Sequence, residues 1–199
     1  MMSKPTFEFC ALKFLIQWQR YESALHTAFS QAPTECDIDA ALKFFRVARS
    51  FRSSDDRLVS ILSSLNDARH NQSLSNPQEK VKYLTSIFSQ KFGKKNISAA
   101  SKLLWLSYRS PFIVYDGRAI KALNRFGHKF VSYAQYSIAW RQEYAEAEDS
   151  IWSAVGQLPS VKKFARYPIS DAELVELANA QWFRERVFDM FLWETGGAD

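Results

Sequence analysis

Only six glycines and six prolines are spread over the 199 residues. That scarcity argues against a fold of many tight β-turns and leaves room for long, uninterrupted helices. Cysteine is scarcer still. Cys10 and Cys36 stand alone, with no CxxC spacing and no Cys/His clustering, so neither a disulfide framework nor a zinc site is indicated. No apolar run approaches the roughly 20 residues that span a bilayer, and nothing at the start reads as a signal peptide. The expected compartment is the cytoplasm, without membrane association and without an obligate protein partner. Carboxylates at metal-ligand spacing are missing, as is a G-x-x-x-x-G-K-[ST] phosphate loop. Neither a metal ion nor a cofactor is expected.

What the chain does have is bulk. Hydrophobic residues make up 47%, among them 16 Phe, 8 Tyr and 6 Trp, enough to bury a sizeable core. Apolar residues recur at steps of three and four, while no segment sustains an alternation of two. The expected fold is therefore all-α, with residues 1–199 forming one domain of one or two lobes. The spacing predicts a helix over 6–30, stopped by Pro33, and a second one N-capped by Asp37. A third opens at Ser54-Asp55. Asn76-Pro77 starts a fourth by the N-cap and N1 rule, and Gly93 closes it. Helices from Ser98 to Leu106 and from Asp116 to Gly127 follow, separated by an extended stretch that contains Pro111. A long helix over 131–158 and a last one over 170–193 complete the pattern.

The charge is unevenly placed. Nine Lys and Arg fall between Lys91 and Phe130 with a single acid, Asp116, a net +8. The whole chain carries +5, which leaves −3 for the remainder. A concentrated basic stretch in an otherwise acidic chain is an electrostatic footprint for a polyanion. The competing reading is a solvated helix face balanced in space by the acids between Glu143 and Asp149.

Within that stretch the sequence FGKKNISAASKLLWLSYRSPFIVYDGRAIKALNRFG, residues 92–127, resembles the core of the helix-hairpin-helix (HhH-GPD) DNA glycosylases. That family runs helix, glycine hairpin, helix and extended crossover to an Asp that opens the next helix; here the matching core covers about 78–127. The resemblance implies a base-excising enzyme acting on duplex DNA that carries a modified or damaged base. Compact bacterial proteins of similar look include antiphage enzymes that remove glucosylated hydroxymethylcytosine. Asp116 matches the catalytic carboxylate. Lys94, Lys95, Asn96 and Ser98 match the phosphate-binding hairpin and helix start, with Arg118, Lys121 and Arg125 on one face of the following helix. Tyr108, Phe112 and Tyr115 are candidates to line the base pocket.

Two departures from the family matter. The hairpin has one glycine where two are usual, and Ser98 stands where bifunctional members carry a nucleophilic lysine. Lys102 lies four positions later on the same face, fourteen before Asp116, a shorter gap than the family's. A monofunctional hydrolytic enzyme is therefore expected, with Lys102 as a displaced alternative. The chemistry explains the residue types. Cleaving an N-glycosidic bond builds positive charge on the sugar. A carboxylate beside C1′ stabilises that charge and activates water, and the target base must first leave the stack. Asp is equally a good N-cap, so a non-enzymatic helix-hairpin-helix DNA binder competes. So does an RNase of the HEPN type, through the pairs Arg20…His26 and Arg125…His128.

Overall fold

The computed structural model describes residues 5–51 and 54–197; residues 1–4, read above for a leader segment, lie outside these. It is all-helical, with no strand among the described residues. No described helix is long and apolar enough to cross a membrane. The chain divides into two compact units, Met1–Arg20 with Asp116–Asp199, and Tyr21–Tyr115.

The stretch expected as one first helix is α1 (Phe7–Gln17), a π-turn (Trp18–Glu22) and α2 (Ser23–Ser30). Thr6 caps α1 through its hydroxyl. The division between the units falls inside the π-turn, after Arg20.

The unit Tyr21–Tyr115 continues through α3 (Glu35–Phe44), α4 (Arg57–His70), α5 (Pro77–Phe92) and α6 (Ile97–Tyr108). Helix α3 starts earlier than expected. Thr34 is its N-cap, and Asp37, expected as the cap, closes a capping box from the third helical position by accepting from the Thr34 N–H at 2.8 Å. Helix α4, by contrast, starts later, after Asp56 rather than at Ser54-Asp55. In α5 each local rule agrees with the next. Asn76 accepts from the Glu79 N–H, Pro77 sits at the first turn, and Val81, Leu84, Phe88 and Phe92 face inward. Gly93 ends the helix at φ 71°, a conformation that disfavours any residue with a Cβ. Phe51 packs edge-on against both Phe88 and Phe92, with centroids 5.1 and 5.0 Å apart. Helix α6 is buried at every position from Ala99 to Ser107 and packs on α2, α4 and α5. It is the axis of this unit.

The other unit combines α1 with α7 (Gly117–Arg125), α8 (Tyr133–Gly156), α9 (Leu158–Val161), α10 (Asp171–Asn179) and α11 (Gln181–Gly197). The single last helix expected over 170–193 is in fact two, because Ala180 turns extended (ψ 120°) between them. Residues 183–192 of α11 are all buried, since α1, α7, α8 and α10 pack around it. That enclosure takes in charges as well. Asp189 accepts from the Trp140 indole at 2.8 Å and from Arg186 at 3.0 Å, Gln181 donates to Glu185, and Arg184 donates to the Ala178 carbonyl. Buried charges persist when they are bonded in this way. Trp182 is only half-buried, and its neighbour Phe183 fills the core.

Candidate nucleic-acid interface and carboxylate

In the unit Tyr21–Tyr115, the turn between α5 and α6 is set by Gly93 and held from below by Asn96. The Asn96 side chain is buried, and its amide donates to the Ser50 carbonyl at 3.1 Å. It therefore anchors the turn and makes no side-chain cap bond to α6. The first amides of α6 lack a side-chain acceptor from the N-cap, and Lys94 and Lys95 stand exposed beside them. Unsatisfied amides at the positive end of a helix dipole suit an anion.

One turn into α6, Lys102 is 4% exposed, unusual for a lysine. Its Nζ donates to Ser98 Oγ at 3.0 Å and lies 5.6 Å from the centre of the Phe45 ring. Ser98 is thus engaged by Lys102. The neighbouring Ser101 hydroxyl donates to the Ser98 carbonyl and accepts the Tyr115 N–H at 3.0 Å. A fully buried serine so fixes the end of the crossover to α6. The sequence reading missed Ser101, which lies three positions after Ser98 on the same helix face.

The crossover begins at Arg109, whose φ of 57° is one of two positive values among the described non-glycine residues. Burial lowers the pKa of its guanidinium. His26 Nδ1 bonds the Leu106 carbonyl at 2.7 Å. Burial lowers the His26 pKa, the carbonyl bond opposes that shift, and the Arg109 charge adds to it. Of the three rings proposed for a base pocket, Tyr108 and Phe112 stack on each other at 5.2 Å, and the Tyr108 hydroxyl donates to the Arg69 carbonyl. Tyr115 is half-buried, and its surroundings raise its phenol pKa. Glu22, fully buried at the end of the π-turn, is a second residue that the sequence reading did not single out.

In the other unit, Asp116 is half-buried and caps α7, its Oδ1 accepting the Arg118 N–H at 3.0 Å. Arg118, Lys121 and Arg125 are exposed along α7, as the spacing implied. Two of them also serve the packing. The Arg118 guanidinium lies 3.8 Å from the centre of the Trp193 ring, and Arg125 donates to the Thr195 carbonyl at 2.6 Å. His128 bonds Glu143 across 2.5 Å. Among the described residues, no group of three or more His, Cys, Asp or Glu is placed to hold a metal ion.

Compared with known proteins, the chain matches no family model, no curated protein and no solved structure.

Proposed function

We propose that this chain is a DNA glycosylase that hydrolyses the bond between a modified base and its sugar. The observation that carries the reading is the order of elements from α5 to α7. A helix ends at a left-handed glycine, a lysine-bearing turn opens a helix without a side-chain cap, and a pinned crossover delivers Asp116 to the next N-terminus. Each of those parts has a role in the chemistry. Exposed Lys94 and Lys95 with the α6 amides hold a backbone phosphate. The Asp116 carboxylate stabilises the sugar cation as the glycosidic bond breaks, and water adds at C1′ while the base departs with a proton. Tyr115, next to Asp116 in the chain, is the ring best placed by sequence to meet a flipped base.

Lys102 argues for hydrolysis over a covalent path, because its amine is buried and engaged with Ser98. No observation favours the RNase reading: the imidazoles of His26 and His128 bond Leu106 and Glu143. A cytoplasmic enzyme acting on DNA fits this reading, and glucosylated hydroxymethylcytosine is the first base to try, before alkylated and oxidised ones.

The test is incubation with DNAs carrying each modified base, scored for alkali-labile abasic sites, with Asp116→Asn beside the wild type. Asn caps nearly as well as Asp, so folding should survive while the rate falls on the order of 10²-fold or more. Full activity in Asp116→Asn would reduce Asp116 to a cap and remove the mechanism.

A further inference from the structure

The segment 162–168, Lys-Lys-Phe-Ala-Arg-Tyr-Pro, lies outside the basic stretch read from the sequence, and its side chains point the wrong way for a core. Phe164 and Tyr167 are 59% and 51% exposed. Each has a cation of the same loop beside it: Lys163 Nζ is 5.1 Å from the Phe164 ring centre, and the Arg166 guanidinium is 5.7 Å from that of Tyr167. No acid occurs in the segment. Lys162 pairs with Asp171 at 2.8 Å, which leaves Lys163 and Arg166 as the cations that flank the rings.

A loop of this composition would ordinarily be pliant, yet this one is bracketed. The Gln19 side chain accepts the N–H groups of Arg166 and Tyr167 at 3.1 and 3.2 Å and donates to the Tyr167 carbonyl at 3.1 Å. Three bonds from one amide hold the backbone as a partner strand would. The short 3₁₀ turn Lys162–Phe164 fixes the other end. Two large rings are therefore presented to solvent on an ordered backbone, where folding alone gives no reason to keep them.

We propose that this loop binds an unpaired stretch of nucleic-acid strand, with bases stacked on Phe164 and Tyr167 and phosphates neutralised by Lys163 and Arg166. Stacking on an aromatic side chain needs an open base face, which a single strand offers and a duplex hides. The two rings are three residues apart, at most about 11 Å along the chain, close enough for neighbouring bases of one strand. A membrane surface fits less well, because the segment is a short loop around a three-residue turn and not an amphipathic helix with a continuous apolar face. The inference rests on the nucleic-acid premise of the proposed function and not on its chemistry.

Binding of the full chain to labelled oligothymidine, to the corresponding duplex and to phosphatidylserine vesicles tests it. Both rings are exposed, so Phe164→Ala/Tyr167→Ala should keep the melting temperature. Single-strand affinity should fall roughly 30-fold or more, the lower end of stacking for two bases. Lys163→Ala/Arg166→Ala should lower the slope of log affinity against log salt by about 1.4. Gln19→Ala, which leaves rings and cations in place, should weaken binding by less than the double aromatic change. Unchanged oligothymidine affinity in both double variants overturns the inference, and if base excision persists in the wild type it overturns this inference alone. Vesicle binding lost in Phe164→Ala/Tyr167→Ala with oligonucleotide binding intact overturns it in favour of a lipid surface. A wild type that binds no nucleic acid removes it together with the glycosylase reading.

Discussion

The basic stretch between Lys91 and Lys129 is one feature in the sequence and two in the molecule. Its first half carries Lys94 and Lys95 on the turn after Gly93, exposed and with no partner among the described residues. Its second half carries Arg118 and Arg125 on α7, where one guanidinium covers Trp193 and the other closes the end of α11 at Thr195. The same residue class serves a solvent-facing turn in one place and helix packing in the other. What separates them is the surface behind. Helix α7 is short and lies against the aromatic end of α11, whereas the lysines sit beyond the end of a helix, where nothing packs. A cation count therefore overstates the charge available to a polyanion, since an arginine stem and its flat guanidinium also act as packing groups.

The largest effect that would sharpen this contrast is on the packing side. A Cβ added at Gly196 would meet the Arg118 carbonyl oxygen at 1.9 Å, a backbone atom that no rotamer change can move aside. Gly196→Ala should destabilise the fold by about 3 kcal/mol, the upper end of overpacking, or roughly 6–12 °C in melting temperature for a chain of this size. A melting temperature within a degree of wild type would mean that α7 and α11 are not in that contact.

Charge reversal on the other side should do the opposite. Lys94→Glu/Lys95→Glu should leave melting unchanged and weaken DNA binding roughly 10-fold or more, with the salt slope reduced by about 1.8 for two lost phosphate contacts. Arg118→Glu should show the converse, a stability loss exceeding its loss of binding. If Arg118→Glu weakens binding as much as the lysine pair and leaves stability intact, the division between the halves disappears.

The smallest expected effect concerns His26, which bonds α6 beside the half-buried Arg109 of the first half. Burial, with the Arg109 charge adding to it, depresses the His26 pKa in the fold below its ordinary 6.5. The unfolded chain then binds the proton first, so stability is lost as pH falls from about 6.5 toward the folded value, and it levels off below. His26→Gln should flatten that part of a stability-against-pH curve. A His26 imidazole that titrates by NMR at or above 6.5 in the folded protein would show the sign to be wrong.

Much of the fold was legible wherever local rules agree. Asn76-Pro77, the stripe Val81, Leu84 and Phe88, and Gly93 bound α5 correctly, because cap, period and stop are all short-range. Asp116 at the start of α7 was legible for the same reason. The break at Ala180 was not, since neither glycine nor proline marks it and alanine favours helix. Nor was the burial of Arg184, Glu185, Arg186 and Asp189, because charged residues are ordinarily assigned to a surface. For the site, spacing placed Arg118, Lys121 and Arg125 on one exposed face. It could not show that Asn96 is turned inward to Ser50, that Tyr108 and Phe112 stack on each other, or that Lys102 is enclosed.

By itself the sequence determined that the chain is helical, where α5 to α8 begin and end to within about two residues, and that its positive charge gathers before Lys129. Those properties follow from periodicity, capping and composition, which act over a few residues. Only the tertiary structure decided which charges face water, which aromatic rings are core and which stand on an ordered loop, and that a serine of α6 holds the crossover that leads to Asp116. These depend on what a side chain meets from distant parts of the chain. The three bonds from Gln19 to a loop nearly 150 positions away are the clearest instance.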